Sequence, residues 1–151
     1  MTQVAKITFE EYLNLEDLRL PEGRCEFIDG ELVELPPESG LNDAIANYLF
    51  LMLVSAGIPF NLVRPGKCEI EVPVLKAKTP QNRYPDLVVL KPEHIELTRK
   101  RLTIRRDMPA PDLVVEVVSP GDENIKRDCE EKRQQYEARE IPKYWLIIPE
   151  Q

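Results

Sequence analysis

The chain has 151 residues, 42% of them hydrophobic and 31% charged, which suits one domain with one core and excludes a disordered protein. A formal net charge of −7 excludes non-specific adhesion to nucleic acid, so a nucleic-acid partner needs a local basic face. Cys25, Cys68 and Cys129 show neither CxxC nor Cys/His spacing, which indicates no zinc site and no disulfide framework and points to a reducing, cytoplasmic setting.

The start, "MTQVAKITFEEYL", has no apolar stretch of signal-peptide length. Within it "TFEEYLNL" predicts a short amphipathic helix with Thr8 as N-cap, Glu11 completing a capping box, and Tyr12 and Leu15 to bury. In "RCEFIDGELVEL", Asp29-Gly30 supplies the two positive φ angles of a type I′ turn and predicts a hairpin. After Pro36-Pro37, Ser39 or Asn42 caps a helix over 43–56 that is apolar nearly all round, and is therefore expected to be buried on several sides. Gly57 fits its C′ position and Pro59 blocks its continuation. The same run is too short and too interrupted to span a membrane.

"KCEIEVPVLK" alternates Cys68, Ile70, Val72 and Val74 with Glu69, Glu71 and Pro73, the pattern of a half-buried strand. "YPDLVVL" and "PDLVVEVV" read as interior strands buried on both faces. Between them "TRKRLTIRR", 98–106, holds five basic side chains; it is either a solvated surface strand or a face that steers a nucleic-acid backbone. A charged helix from Gly121 or Asp122 to about Glu140 follows, and "KYWLII" closes the chain as a strand. The order predicts one α/β domain over 1–151, a sheet with helices on both faces.

Three polar residues break their local patterns. Glu116 stands among the valines and leucines of "PDLVVEVV" and shares a face with Asp112, Val114 and Val118. Asp112 is about 13 Å away along the strand, too far to share an ion with it. The other buried strand offers Asp86. Two carboxylates facing each other at ~4 Å repel by on the order of 4 kcal/mol at an effective dielectric of 20. Magnesium or manganese would resolve that conflict and create a site for phosphate chemistry; protonation of one carboxylate is the other escape. Lys132 occupies an apolar slot in the stripe Ile125, Cys129, Lys132, Tyr136, from which its stem can reach the sheet or snorkel outward beside Asp128. Each has a plainer reading: Asp86 as a turn cap, Glu116 as an exposed edge residue or a partner of Arg105, Lys132 as a surface lysine.

"PDLVVL", "CEFIDGELVELPPES" and "PDLVVEVVSPGDENIKRDCEEKRQQYEAREIPKYWLIIP" together resemble the Uma-two endonuclease family of the PD-(D/E)XK nuclease superfamily. The resemblance implies an α/β (α+β), restriction-endonuclease-like core: a central mixed β-sheet flanked by helices, with an N-terminal β-hairpin. It implies that Asp86 and Glu116 hold Mg2+ or Mn2+, that the Val117 carbonyl adds a third oxygen, and that Glu26 lies near the same site. The superfamily's lysine two residues after the glutamate is replaced by Val118, and the resemblance implies its displacement to Lys132. His94, the single histidine, lies outside the motif. Relatives continue through further strands after "YWLI", so a chain ending at Gln151 is expected either to be incomplete or to bury its last edge in a homodimer or higher homo-oligomer. The function implied is metal-dependent endonucleolytic hydrolysis of nucleic acid, with DNA the expected partner and no membrane. The alternative is a catalytically inactive nuclease-like fold used for binding or assembly.

Overall fold

A computed structural model of the chain describes residues 6–15, 23–118 and 125–149, without the side chains of 125–128. The predicted pairing of Lys132 with Asp128, the start of the last helix and the place of Ile125 in its stripe therefore lie outside the described residues.

Helix α1 (Phe9–Leu13) carries the predicted capping box, with Thr8 accepting from the Glu11 N–H and Glu11 accepting from the Thr8 N–H. It packs Phe9, Tyr12 and Leu13 against Phe27. Phe27 belongs to strand β1 (Cys25–Ile28), which pairs antiparallel with β2 (Glu31–Glu34). The turn residues Asp29 and Gly30 have φ of 48° and 81°, the geometry that lets two strands reverse over two residues.

Helix α2 (Gly40–Ser55) begins at Ser39, whose hydroxyl accepts the Asn42 N–H. A 3-10 turn (Phe60–Leu62) leads into β3 (Val63–Pro65), then β4 (Glu69–Glu71), β5 (Asn82–Arg83), β6 (Leu87–Val89), helix α3 (His94–Leu97), β7 (Thr103–Ile104), β8 (Leu113–Val117), helix α4 (Ile125–Ala138) and β9 (Tyr144–Ile147). The central sheet is mixed, in the order β3-β6-β8-β9: β6 is antiparallel to β3 and β8, and β9 is parallel to β8. A second sheet runs β5-β4-β7.

The alternation of β6 and β8 divides the core into two layers. Leu87, Val89, Leu113 and Val115 pack under Leu49, Phe50, Leu53 and Val54 of α2. Val88 and Val114 face the other way, onto Ile70 and Ile104 of the second sheet and Tyr136 of α4. Helices thus cover both faces, as the element order predicts. The expectation that α2 is buried on several sides is wrong: one side packs on the sheet, while Leu41, Tyr48, Leu51 and Met52 are 51%, 61%, 63% and 51% exposed. An apolar circumference does not fix how many neighbours a helix has. The expected solvent face of β4 is also wrong at Glu69, which is buried. Among the described residues no helix is long and apolar enough to cross a membrane.

Candidate active site

The register of the central sheet sets Leu87 opposite Val115 and Val88 opposite Val114. One step beyond, Asp86 falls opposite Glu116, both on the face that carries Val88 and Val114. Pro85 before Asp86 holds the chain extended into β6. The Val117 N–H donates to Asp86 Oδ2 at 2.6 Å, which fixes this carboxylate against the Glu116–Val117 peptide. From α4, Lys132 Nζ lies 3.4 Å from Glu116 Oε2, and the Tyr136 hydroxyl donates to the same oxygen at 2.8 Å. Spacing i, i+4 puts these two side chains on one face of the helix. Asp86, Glu116, Val117, Lys132 and Glu26 line one pocket of about 270 Å³.

The structure therefore brings Asp86, Glu116, Val117, Lys132 and Glu26 around one pocket. Asp86 and Glu116 are 8% and 5% exposed, which rules out the turn-cap and exposed-edge readings, and Glu116 is not paired to Arg105. Val117 is present through its N–H, which binds Asp86. Glu26 lies on the same pocket wall but is paired with a cation: Arg83 Nη1 lies 3.2 Å from its Oε2, and Arg83 Nε donates to buried Gln135 Oε1 at 2.8 Å. Sequence reasoning did not find Arg83, Gln135 or the hydroxyl role of Tyr136. Tyr136 was visible only as an apolar member of the α4 stripe.

Burial and the neighbouring Glu116 charge raise the Asp86 carboxyl from its ordinary 3.8 to about 7, against the Val117 N–H and Lys132. Burial also raises Glu26, with Arg83 opposing. The Glu116 carboxylate raises Lys132 against the cost of its own burial. Lys132 is thus an ammonium at neutral pH, suited to orienting an anion or a water and poorly suited to removing a proton. Burial, then Glu116, raises the Tyr136 phenol well above its usual range, so it stays a hydrogen-bond donor.

The donor set fits a hard divalent ion that keeps most of its water. Among the described residues no group of three His, Cys, Asp or Glu side chains converges to hold a metal, so an ion would rest on Asp86 and Glu116. Magnesium accepts one or two carboxylates and retains several waters. Burial and the facing Glu116 charge make the ionised Asp86 carboxylate costly, and either a proton or a cation relieves that cost.

The basic segment lies elsewhere. Arg101 turns inward, its Nη2 3.2 Å from buried Glu69 and its guanidinium 4.8 Å from the Tyr12 ring. Arg105 and Arg99 lie 3.8 and 3.7 Å from Glu10 and Glu96. None of residues 98–106 lines the pocket. His94 is structural: its Nδ1 accepts the Lys91 N–H and its Nε2–H donates to the Pro109 carbonyl.

No curated protein matches the chain. The fold is similar to that of a crystal structure described as "a putative nuclease belonging to DUF820 from Anabaena variabilis", with 21% identity and a TM-score of 0.59 over 95% of this chain and 74% of that one. Residues 9–151 match the model of Uma2, described as "Putative restriction endonuclease", and a match over nearly the whole chain places this protein in the Uma2 family.

Proposed function

We propose that the protein is a Mg2+- or Mn2+-dependent endonuclease that hydrolyses phosphodiester bonds in DNA at the Asp86–Glu116 pocket. The observation that carries the reading is the opposition of two buried carboxylates across β6 and β8, with a single ammonium, Lys132, at their edge.

Asp86 and Glu116 would hold the ion, with Val117 O as a further oxygen. Such an ion supplies a Lewis acid for the phosphoryl oxygen and lowers the pKa of a water nucleophile. The side chains do the positioning. Tyr136 fixes Glu116 Oε2, and the Lys132 ammonium, anchored at that oxygen, orients the attacking water or a non-bridging phosphate oxygen. Hydrolysis adds water across one P–O bond and leaves a phosphate monoester and a free hydroxyl. Glu26, neutralised by Arg83, acts through that ion pair on the pocket wall.

Supercoiled plasmid with and without manganese or magnesium tests the reading. Nicking is expected with metal and none in chelator. Asp86→Asn and Glu116→Gln should each lower the rate by more than the roughly 10–100-fold typical of losing an outer-shell partner. A purified protein that leaves plasmid intact with both metals, or a Glu116→Gln variant as active as the parent, defeats it.

A further inference from the structure

Helix α2 has two apolar sides in a chain where 31% of residues are charged; Asp43 is its single charged residue. The inner side, Leu49, Phe50, Leu53 and Val54, is covered by the central sheet. The outer side consists of Leu41, Ala44, Tyr48, Leu51, Met52 and Ser55, all exposed. Leu41, Ala44, Tyr48, Leu51 and Ser55 follow one another at alternating steps of three and four, the a/d spacing of a helix–helix seam. At their exposures of 51–63%, Leu41, Tyr48, Leu51 and Met52 alone present on the order of 400–500 Å² of surface, at the limit of what monomers leave bare.

We propose that this stripe is the interface of a homodimer in which two α2 helices pack antiparallel about a two-fold axis at Tyr48. The occupant follows from the stripe's match to its own reverse. With Tyr48 opposite Tyr48, Leu41 meets Ser55, Met52 meets Ala44, and exposed Leu51 meets half-buried Ile45. Large side chains face small ones at both ends, as ridges into grooves require. A two-fold interface uses the same patch on both partners, and this patch fits itself in one register. Asp43, bonded at 3.2 Å by Asn47 within its own helix, lies off the seam and brings no like charges together.

Sedimentation velocity and light scattering on the full chain, in chelator, test this independently of catalysis. The parent protein is expected to run as two chains of 17.5 kDa at tens of micromolar. Leu51→Glu, at an exposed position, should keep its circular dichroism and melting temperature while weakening dimerisation at least tenfold. Tyr48→Cys should give a disulfide-linked dimer on mild oxidation under conditions that leave the parent uncrosslinked, because only position 48 meets itself. A parent protein that is monomeric at 100 micromolar overturns the proposal. So does a dimer that survives Leu51→Glu but is dissolved by Trp145→Glu on the edge of β9.

Discussion

Among the carboxylates lining the pocket, Asp86 is the one whose protonation the fold shifts far. Its carboxyl is raised from 3.8 to about 7, so the folded protein holds this proton more tightly than the unfolded chain does. Stability from this group is therefore full below about pH 4, falls as pH rises toward 7, and is flat above. Asp86→Asn keeps an oxygen for the Val117 N–H and carries no charge. In chelator it should stabilise the protein by on the order of 1–3 kcal/mol at pH 8, with the gain fading toward pH 4; melting temperature against pH is the measurement. A gain that does not change with pH would mean that Asp86 is ionised throughout. Because an ion needs the ionised carboxylate, manganese binding should release protons near neutral pH and strengthen as pH rises through 7. Tyr136→Phe removes one of the two groups on Glu116 Oε2. It should cost about 1 kcal/mol in stability and lower the plasmid rate roughly 10–100-fold with the pH profile retained. Asp86, Glu116 and Lys132 were legible in the sequence because each is a polar residue in an apolar pattern. Arg83, Gln135 and the Tyr136 hydroxyl were not, since a buried network shows itself only when its partners are placed in space.

The same limit operates on whole elements, and Glu69 shows it best. Alternation in "KCEIEVPVLK" assigns Glu69 to a polar face, but α1 and the β1-β2 hairpin cover that face. Glu69 accepts from the Tyr12 hydroxyl at 2.5 Å, Asn82 Nδ2 at 2.6 Å, the Thr103 hydroxyl at 2.6 Å and Arg101 Nη2 at 3.2 Å. One carboxylate so joins α1, β5 and β7 to β4, and Asn82 extends the link to β1 through the Cys25 carbonyl and the Phe27 N–H. Glu69→Ala leaves four donors without their acceptor and should destabilise the fold by on the order of 3–5 kcal/mol. Hydrogen exchange should speed up first in α1 and β1, which lean on this hub, and less in β6 and β8, which have the apolar core on both faces. Equal loss of protection everywhere would mean that Glu69 supports the core as a whole. The α1 capping box and the Asp29-Gly30 turn were readable because both are local, decided within four residues. What covers β4, and what leaves α2 half bare, depends on neighbours distant along the chain.

At the scale of the whole molecule the net charge of −7 limits how a polyanion can approach. The cations at the pocket are already committed: Arg24 to Glu38, Arg83 to Glu26 and Lys132 to Glu116. Of the basic segment, Arg101 is held by Glu69, and the segment lies outside the pocket. If DNA binds at the pocket, two positive charges added between Asp86 and Glu116 should therefore decide its affinity. Fluorescence anisotropy with a labelled duplex separates this from ordinary basic-patch binding when calcium replaces the catalytic ion. At 0.15 M salt no saturable binding is expected in chelator, and binding should appear with calcium. Each phosphate neutralised by a lysine or arginine contributes a slope of about −0.9 to the log–log dependence on salt. Because each cation lining this pocket is already paired with a carboxylate, the slope should be shallower than about −3. Asp86→Asn should lose the calcium-dependent binding, while Arg99→Ala with Lys100→Ala should leave it within about twofold, since neither side chain lines the pocket. Steep, metal-independent binding that disappears in the Arg99/Lys100 variant would relocate the nucleic acid to the β7 segment and detach it from the carboxylate pair.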